Sequence, residues 1–468
     1  MRGVWQNRES MTRRDACRFL VGFPALGLLG QSRPDSFRAY SESPRLLLRP
    51  PRLKLLRRER ERRSLRWDQF ETLWTGNAQF PELGWAQALR FRIADDRESG
   101  IRAVAWAVGP GDDIRQVALI ADWCAPLLSS DDRAQIFAKL RREIADTRAV
   151  KTLADARSRI FAALVLSEAQ PEASEKAIQG IFEGFWSGSL IPSLRAAKAS
   201  VSNADAYALL EILHAVRDNL NFDLRDTFPR WFGQYPMLHL MANYPPPWPG
   251  AENEYRIPAD QKIQQQGPDL VKATLSRAAE LAMVAYDSNA ASSQLLQGWV
   301  TNDRFLMRGA LGIPYEFLWA NPYQPGLSYY HVPLAMHDEI GGQLFVRSSW
   351  EDDAQWIGFF GGQLQLFRGG EIKQIDPQTA QEPLDIESAV VFFARQTKRF
   401  FVPRQKTDDA EPGGANVFLV GLDPKRSYHV EVDGEEMVED TADPGGIIYL
   451  PDVPGGSGVR LGPAPPIS

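Results

Sequence analysis

The periodicity of this chain changes once, near Gly341, and that change restricts the fold more than any other feature. Upstream, apolar residues recur three and four apart, as at Leu209, Leu210, Leu213 and Val216, with almost no strand-like alternation. Downstream the period becomes two. Gln343–Ser349, Gln355–Phe360, Gln363–Phe367, Ser388–Ala394 and Lys398–Val402 read as short strands between Gly-Gly, Asp-Asp or Pro-containing turns. The expectation is a multidomain α and β chain. A helical domain over 43–325 consists of many antiparallel hairpins, for which a closed (α/α) toroid is one way to bury both faces. An antiparallel β-sandwich over 326–406 follows. Beyond the polar bridge Thr407–Gly414, residues 415–468 read as a small C-terminal β-sheet module whose Gly/Pro-rich tail, from Pro454, is expected to be poorly ordered.

Within the helical part, Pro50-Pro51 followed by Leu53, Leu56, Leu65, Trp67, Phe70 and Leu73 predicts one long amphipathic helix. Further helices are expected at about 84–94, 100–108, 112–124, 131–148, 151–168 and 174–186, through 205–242, and again near 268–286, 290–299 and 301–319.

A formal net charge of -6 on 468 residues offers no field to gather nucleic acid, and no later window is apolar for long enough to be an integral membrane span. Arg13-Arg14 before the apolar run Phe19–Leu29 has the form of an export signal over 1–32, of twin-arginine type with a Sec signal as the alternative, and implies a periplasmic or extracellular location. Of the two cysteines, Cys17 falls in that signal and Cys124 in an apolar run, where it reads as a buried small hydrophobe. No metal-ligand spacing, Walker loop, dinucleotide fingerprint or nucleophile elbow stands in an appropriate context, so no cofactor or metal is expected.

The most unusual segment is Asn243–Arg256, a Pro-rich interruption of the helical body. Its Tyr244 and Trp248 offer apolar ring faces to a sugar, with Glu252, Asn253, Glu254 and Arg256 as hydrogen-bonding neighbours. His239 precedes it among Met237, Leu238, Leu240 and Met241, a setting that also suits a buried structural histidine. A second aromatic loop, Asn321–His331, carries Tyr323, Tyr329, Tyr330 and His331 to the boundary between the halves, and His337 follows it. Clefts form at such boundaries, although aromatics there also pin domains together.

Three features together resemble the heparinase II/III family of polysaccharide lyases: Ser43-Pro44-Arg45-Leu46-Leu47-Leu48 before a helix, the toroid-like middle, and Gly342–Trp350 with Asp353-Ala354 opening the β half. The resemblance covers about residues 43–400. It implies β-elimination on a uronic-acid polysaccharide, with Tyr255 as acid or base, Asn203 or Asn243 together with Arg256 receiving the uronate carboxylate, and aromatic loops as subsites. The chain departs from the family at Phe359–Gly370, which lacks the usual histidine motif. His239, His331 or His337 then substitutes, or the chain is a glycan-binding relative without lyase activity. A third alternative is an inverting glycosidase using two carboxylates such as Glu254 and Asp260.

Overall fold

The computed structural model describes residues 39–197, 201–250, 253–260, 267–302, 307–387, 389–393, 399–403, 414–434 and 437–463. The export signal expected over 1–32 lies outside these, as do the bridge Thr407–Gly413, Glu252 and the last five residues.

The expected long first helix is two helices, α1 (Pro50–Glu61) and α2 (Leu65–Thr75). Pro50 and Pro51 open α1, where their missing N–H groups cost nothing. The break follows from Arg63, whose φ of 50° leaves the helical region, and from Ser64, whose hydroxyl accepts the Trp67 N–H as the cap of α2. Next come α3 (Leu83–Ala94), α4 (Arg97–Val108), α5 (Ile114–Trp123), α6 (Ser130–Ala145), α7 (Leu153–Leu166) and α8 (Pro171–Gly180). Asp96, Asp113, Ser129 and Thr152 cap α4 to α7 in the same way. A π-helical run at Ile181–Leu190 leads into α9 (Ile191–Arg195), then α10 (Asn203–Leu220), α11 (Pro229–Met241), α12 (Leu270–Tyr286) and α13 (Ala291–Asn302). The helix expected at 301–319 is only α14 (Ile313–Trp319) among the described residues.

These helices pack in sequence order. The set α3, α5, α7, α10 and α12 lies side by side; α12 touches α14, α14 touches α2, and α1 joins α2 to α3. Helices α4, α6 and α8 pack successively as a second row. Four members of the first row meet at a buried charge cluster, in which Arg115 of α5 holds Glu211 of α10 at 2.7 Å, Arg157 of α7 reaches Glu211 at 2.9 Å, and Arg115 also reaches Glu82 at the start of α3 at 3.2 Å. Trp85, Tyr207 and Tyr315 cover the Arg115 guanidinium with their rings. Cys124 is fully buried, and burial pushes its thiol up to about 12, in keeping with a packing role.

Two short strands, β1 (Trp248–Pro249) and β2 (Glu254–Tyr255), form an antiparallel ribbon that juts from the helical body. After α14, β3 (Ala335–Asp338), β4 (Gln343–Arg347), β5 (Trp356–Phe360), β6 (Gln363–Arg368) and β7 (Glu371–Ile375) make a five-stranded antiparallel meander. The remaining strands are β8 (Leu384–Ile386), β9 (Ala389–Phe393), β10 (Arg399–Phe401), β11 (Ala415–Val420), β12 (Ser427–Val432), β13 (Val438–Thr441), β14 (Ile448–Val453) and β15 (Gly458–Pro463).

They form two interleaved sheets, β14-β11-β9-β8 and β10-β15-β12-β13. Strands from both sides of the expected boundary at 407–414 therefore share each sheet, and the split into a 326–406 sandwich and a 415–468 module is not how the chain pairs. The pairing of β9 with β11 is parallel, where antiparallel neighbours were expected. Part of the Gly/Pro-rich tail is also ordered, because β15 sits between β10 and β12. The sheet containing β9 and β11 contributes alternate residues to two cores. Val390, Phe392, Val417 and Leu419 pack with Phe400, Val430 and Val459, while Val391, Phe393, Phe418 and Val420 pack with Leu344, Ile357 and Leu364 of the first sheet.

Candidate functional site

The opposite face of the first sheet meets the helical body. Trp356 donates its indole N–H to the Met241 carbonyl at the end of α11 at 2.8 Å, and the Tyr244 ring packs edge-on against Trp356 at 5.1 Å. The Tyr244 hydroxyl donates to Gln365 Oε1 at 2.7 Å, and Gln365 Nε2 donates to the Asp260 carbonyl at 2.7 Å. Between these anchors lies a cleft of about 660 Å³.

One wall is α11. Residues Trp231, Tyr235 and His239 stand four apart and so share one helix face, with Trp231 and Tyr235 stacked at 4.5 Å. The opposite wall is Phe345, Phe360 and Phe367 of the sheet, the alternate positions to those in the inter-sheet core. The Pro-rich segment supplies the rim. Ala242 and Tyr244 exchange backbone hydrogen bonds with Ala259 and Ile257, so the segment folds back as a narrow ribbon carrying Trp248, 45% exposed, at its edge. Gly250 is required there, since a Cβ would lie 2.5 Å from the Tyr255 ring.

The polar groups of the cleft are held tightly. His239 Nε2 faces the Ser276 hydroxyl at 3.1 Å and Glu280 at 3.9 Å, while Nδ1 is buried with no hydrogen-bond partner among the described residues. Burial pushes its imidazole down to about 3, so the ring is neutral near neutral pH. The Tyr235 hydroxyl is likewise buried without a partner among the described residues, and burial pushes its pKa well above the ordinary phenol value. Asp338, 1% exposed at the end of β3, accepts the Ile340 N–H at 3.0 Å, and burial holds its carboxyl above the usual range. Asp269 caps α12 through the Val271 and Lys272 N–H groups, and Lys272 pairs with Asp260 at 3.1 Å.

Of the residues singled out from the sequence, His239, Tyr244, Trp248, Asn203 and Asp260 line this cleft. The others lie elsewhere. Asn243 is buried behind the wall, its amide donating to the His239 and Leu240 carbonyls, and Asn203 also donates to the His239 carbonyl. Tyr255 and Glu254 lie on the ribbon outside the described lining, so Glu254 and Asp260 do not share the cavity. Arg256 turns away to Asp352 at 2.9 Å, to the Pro245 carbonyl, and over the Trp299 ring. Tyr330, 53% exposed, stacks on Tyr329 in a separate cluster with Trp299 and Trp350, and His331 beside it is exposed. His337 pairs with Asp443 at 2.8 Å beside Phe418 and Tyr449, between two sheets.

Sequence reasoning missed Tyr235, Trp231, Asp338 and the three phenylalanines. The spacing of Trp231, Tyr235 and His239 was a usable signal, but Asp338 reaches them only through the tertiary docking of β3.

Among the described residues no group of His, Cys, Asp or Glu is arranged to hold a metal ion, and no helix is long and apolar enough to cross a membrane. No protein-family model matches the chain, and no curated protein matches it significantly.

Proposed function

We propose that the chain is an exported, heparinase II/III-like carbohydrate-active protein whose cleft between α11 and the first sheet binds a stretch of polysaccharide. In this reading the two helical rows are the inner and outer layers of an (α/α) toroid, and the stacked sheets are an extended β-sandwich. The observation that carries it is a cleft walled by aromatic rings, two of whose lining residues, Tyr235 and His239, each hold a buried polar atom, Oη and Nδ1, without a partner among the described residues. Such atoms cost free energy unless water or a ligand satisfies them, and a sugar supplies hydroxyls together with an apolar C–H face. The test is calorimetric titration of the full chain with a panel of oligosaccharides. Replacing the rim ring, Trp248→Ala, should weaken binding by roughly tenfold, about 1.4 kcal/mol, without changing stability. No binding by any glycan would end the reading.

β-Elimination is a second reading. It is favoured by Tyr235 standing one turn before His239, two groups able to transfer protons on one wall. Incubation with uronic polymers should then yield an unsaturated product absorbing in the near ultraviolet, lost in Tyr235→Phe. The absence of any absorbance rise would retire it.

A further inference from the structure

The residues expected to receive a uronate are engaged elsewhere, and the cleft itself bears acidic groups. Asp260, Asp269 and Asp338 all line it, and the lysine among its described lining, Lys272, already holds Asp260 at 3.1 Å. The Arg256 guanidinium is drawn to Asp352 and the Pro245 carbonyl, while the Asn203 and Asn243 amides donate to main-chain carbonyls. Two of the lining residues hold buried polar atoms that lack a partner among the described residues and are suited to hydroxyls, the Tyr235 hydroxyl and the His239 Nδ1 atom, both in side chains more than nine-tenths buried. Around them stand the rings of Trp231, Phe345, Phe360 and Phe367.

We infer that the cleft selects an uncharged sugar over a uronate, an inference that rests on the glycan-binding reading and names its substrate class. A sugar hydroxyl donates to one of these atoms and accepts from another at no electrostatic penalty. A uronate carboxylate entering the same space faces like charge from Asp269 and Asp260, which are partly exposed, so the repulsion is moderate and screened in part by solvent. Lys272, the cation among the described lining residues, must be shared with Asp260. The same arrangement weighs against the β-elimination reading, because charge accumulating on the substrate carboxylate would have to be received by Lys272, which Asp260 already holds.

The test uses matched pairs that differ only in charge. Oligogalacturonate, oligomannuronate and hyaluronan oligomers are each titrated into the full chain beside their carboxyl-reduced forms, with neutral cello- and chito-oligosaccharides in the same series. The expected result is that the reduced member of any pair that binds does so at least tenfold more tightly, and that Asp269→Asn, which keeps the helix cap, narrows the gap severalfold. Equal or tighter binding of the uronate member overturns the inference while leaving the glycan reading standing. Binding by no member of any pair, and by no neutral oligomer, overturns the glycan reading and this inference with it.

Discussion

His239 is both the residue most nearly anticipated and the one whose environment says most. Its ring lies 1% exposed among Tyr235, Ser276, Arg277 and Glu280, and desolvation keeps it neutral down to about pH 3. In the unfolded chain the same imidazole titrates near ~6.5. Between those values the unfolded state binds more protons, so stability rises with pH through that window and is lost as pH falls from about 6.5 toward 3. Replacing His239 by Gln removes the contribution. Urea midpoints between pH 4 and 7 should therefore show a flatter dependence in His239→Gln than in the native chain, the difference amounting to a few kcal/mol, on the order set by the shift. Identical slopes would mean that the imidazole charges without resistance. The sequence exposed this residue because it stands just before a proline-rich break, where a helix must end. It did not expose Asp338, whose own neighbourhood, His337-Asp338-Glu339, reads as ordinary polar surface and becomes a cleft wall only on docking.

At the scale of elements, helices were legible because their period and caps are local properties of the chain. The break at Arg62–Ser64 was missed because the leucine pattern continues across it, although Ser64 caps the helix that follows. Strand pairing was less accessible. The parallel union of β9 and β11 spans the polar bridge, and β15 is drawn into a sheet from a segment whose Pro and Gly content argues locally for disorder. The buried charge cluster is equally non-local, tying α5, α7 and α10 through Arg115 and Glu211, 96 positions apart, and through Arg157 and Glu211, 54 positions apart. Glu211, fully buried, accepts from both Arg115 and Arg157. Substituting Gln preserves its volume but leaves two guanidinium groups facing an uncharged amide, so Glu211→Gln should destabilise the chain by about 3–5 kcal/mol. Equilibrium urea unfolding at neutral pH measures it, and a loss below about 1 kcal/mol would mean that the cluster is far better solvated than its burial implies.

At the scale of the whole molecule, the cleft depends on how firmly the first sheet is held against the helical body. Among the contacts that span the junction are the bond from Trp356 to the Met241 carbonyl, the relay from the Tyr244 hydroxyl through Gln365 to the Asp260 carbonyl, and the ion pairs Arg256–Asp352 and Arg230–Glu339. The relay joins the Pro-rich rim to β6 and, through Asp260 and Lys272, to the start of α12. Tyr244→Phe keeps the ring against Trp356 but removes the donor to a fully buried Gln365 oxygen. A cost of about 1–3 kcal/mol is expected for that loss, the usual penalty of an unsatisfied buried acceptor. The more informative readout is amide exchange. If the relay couples the two walls, exchange should quicken together in β6 and in residues 242–259, and glycan affinity should fall with it, because a binding group placed on a looser wall loses its alignment. Faster exchange confined to β6 would instead mean that the relay does not couple the two walls and that the rim moves independently of the sheet.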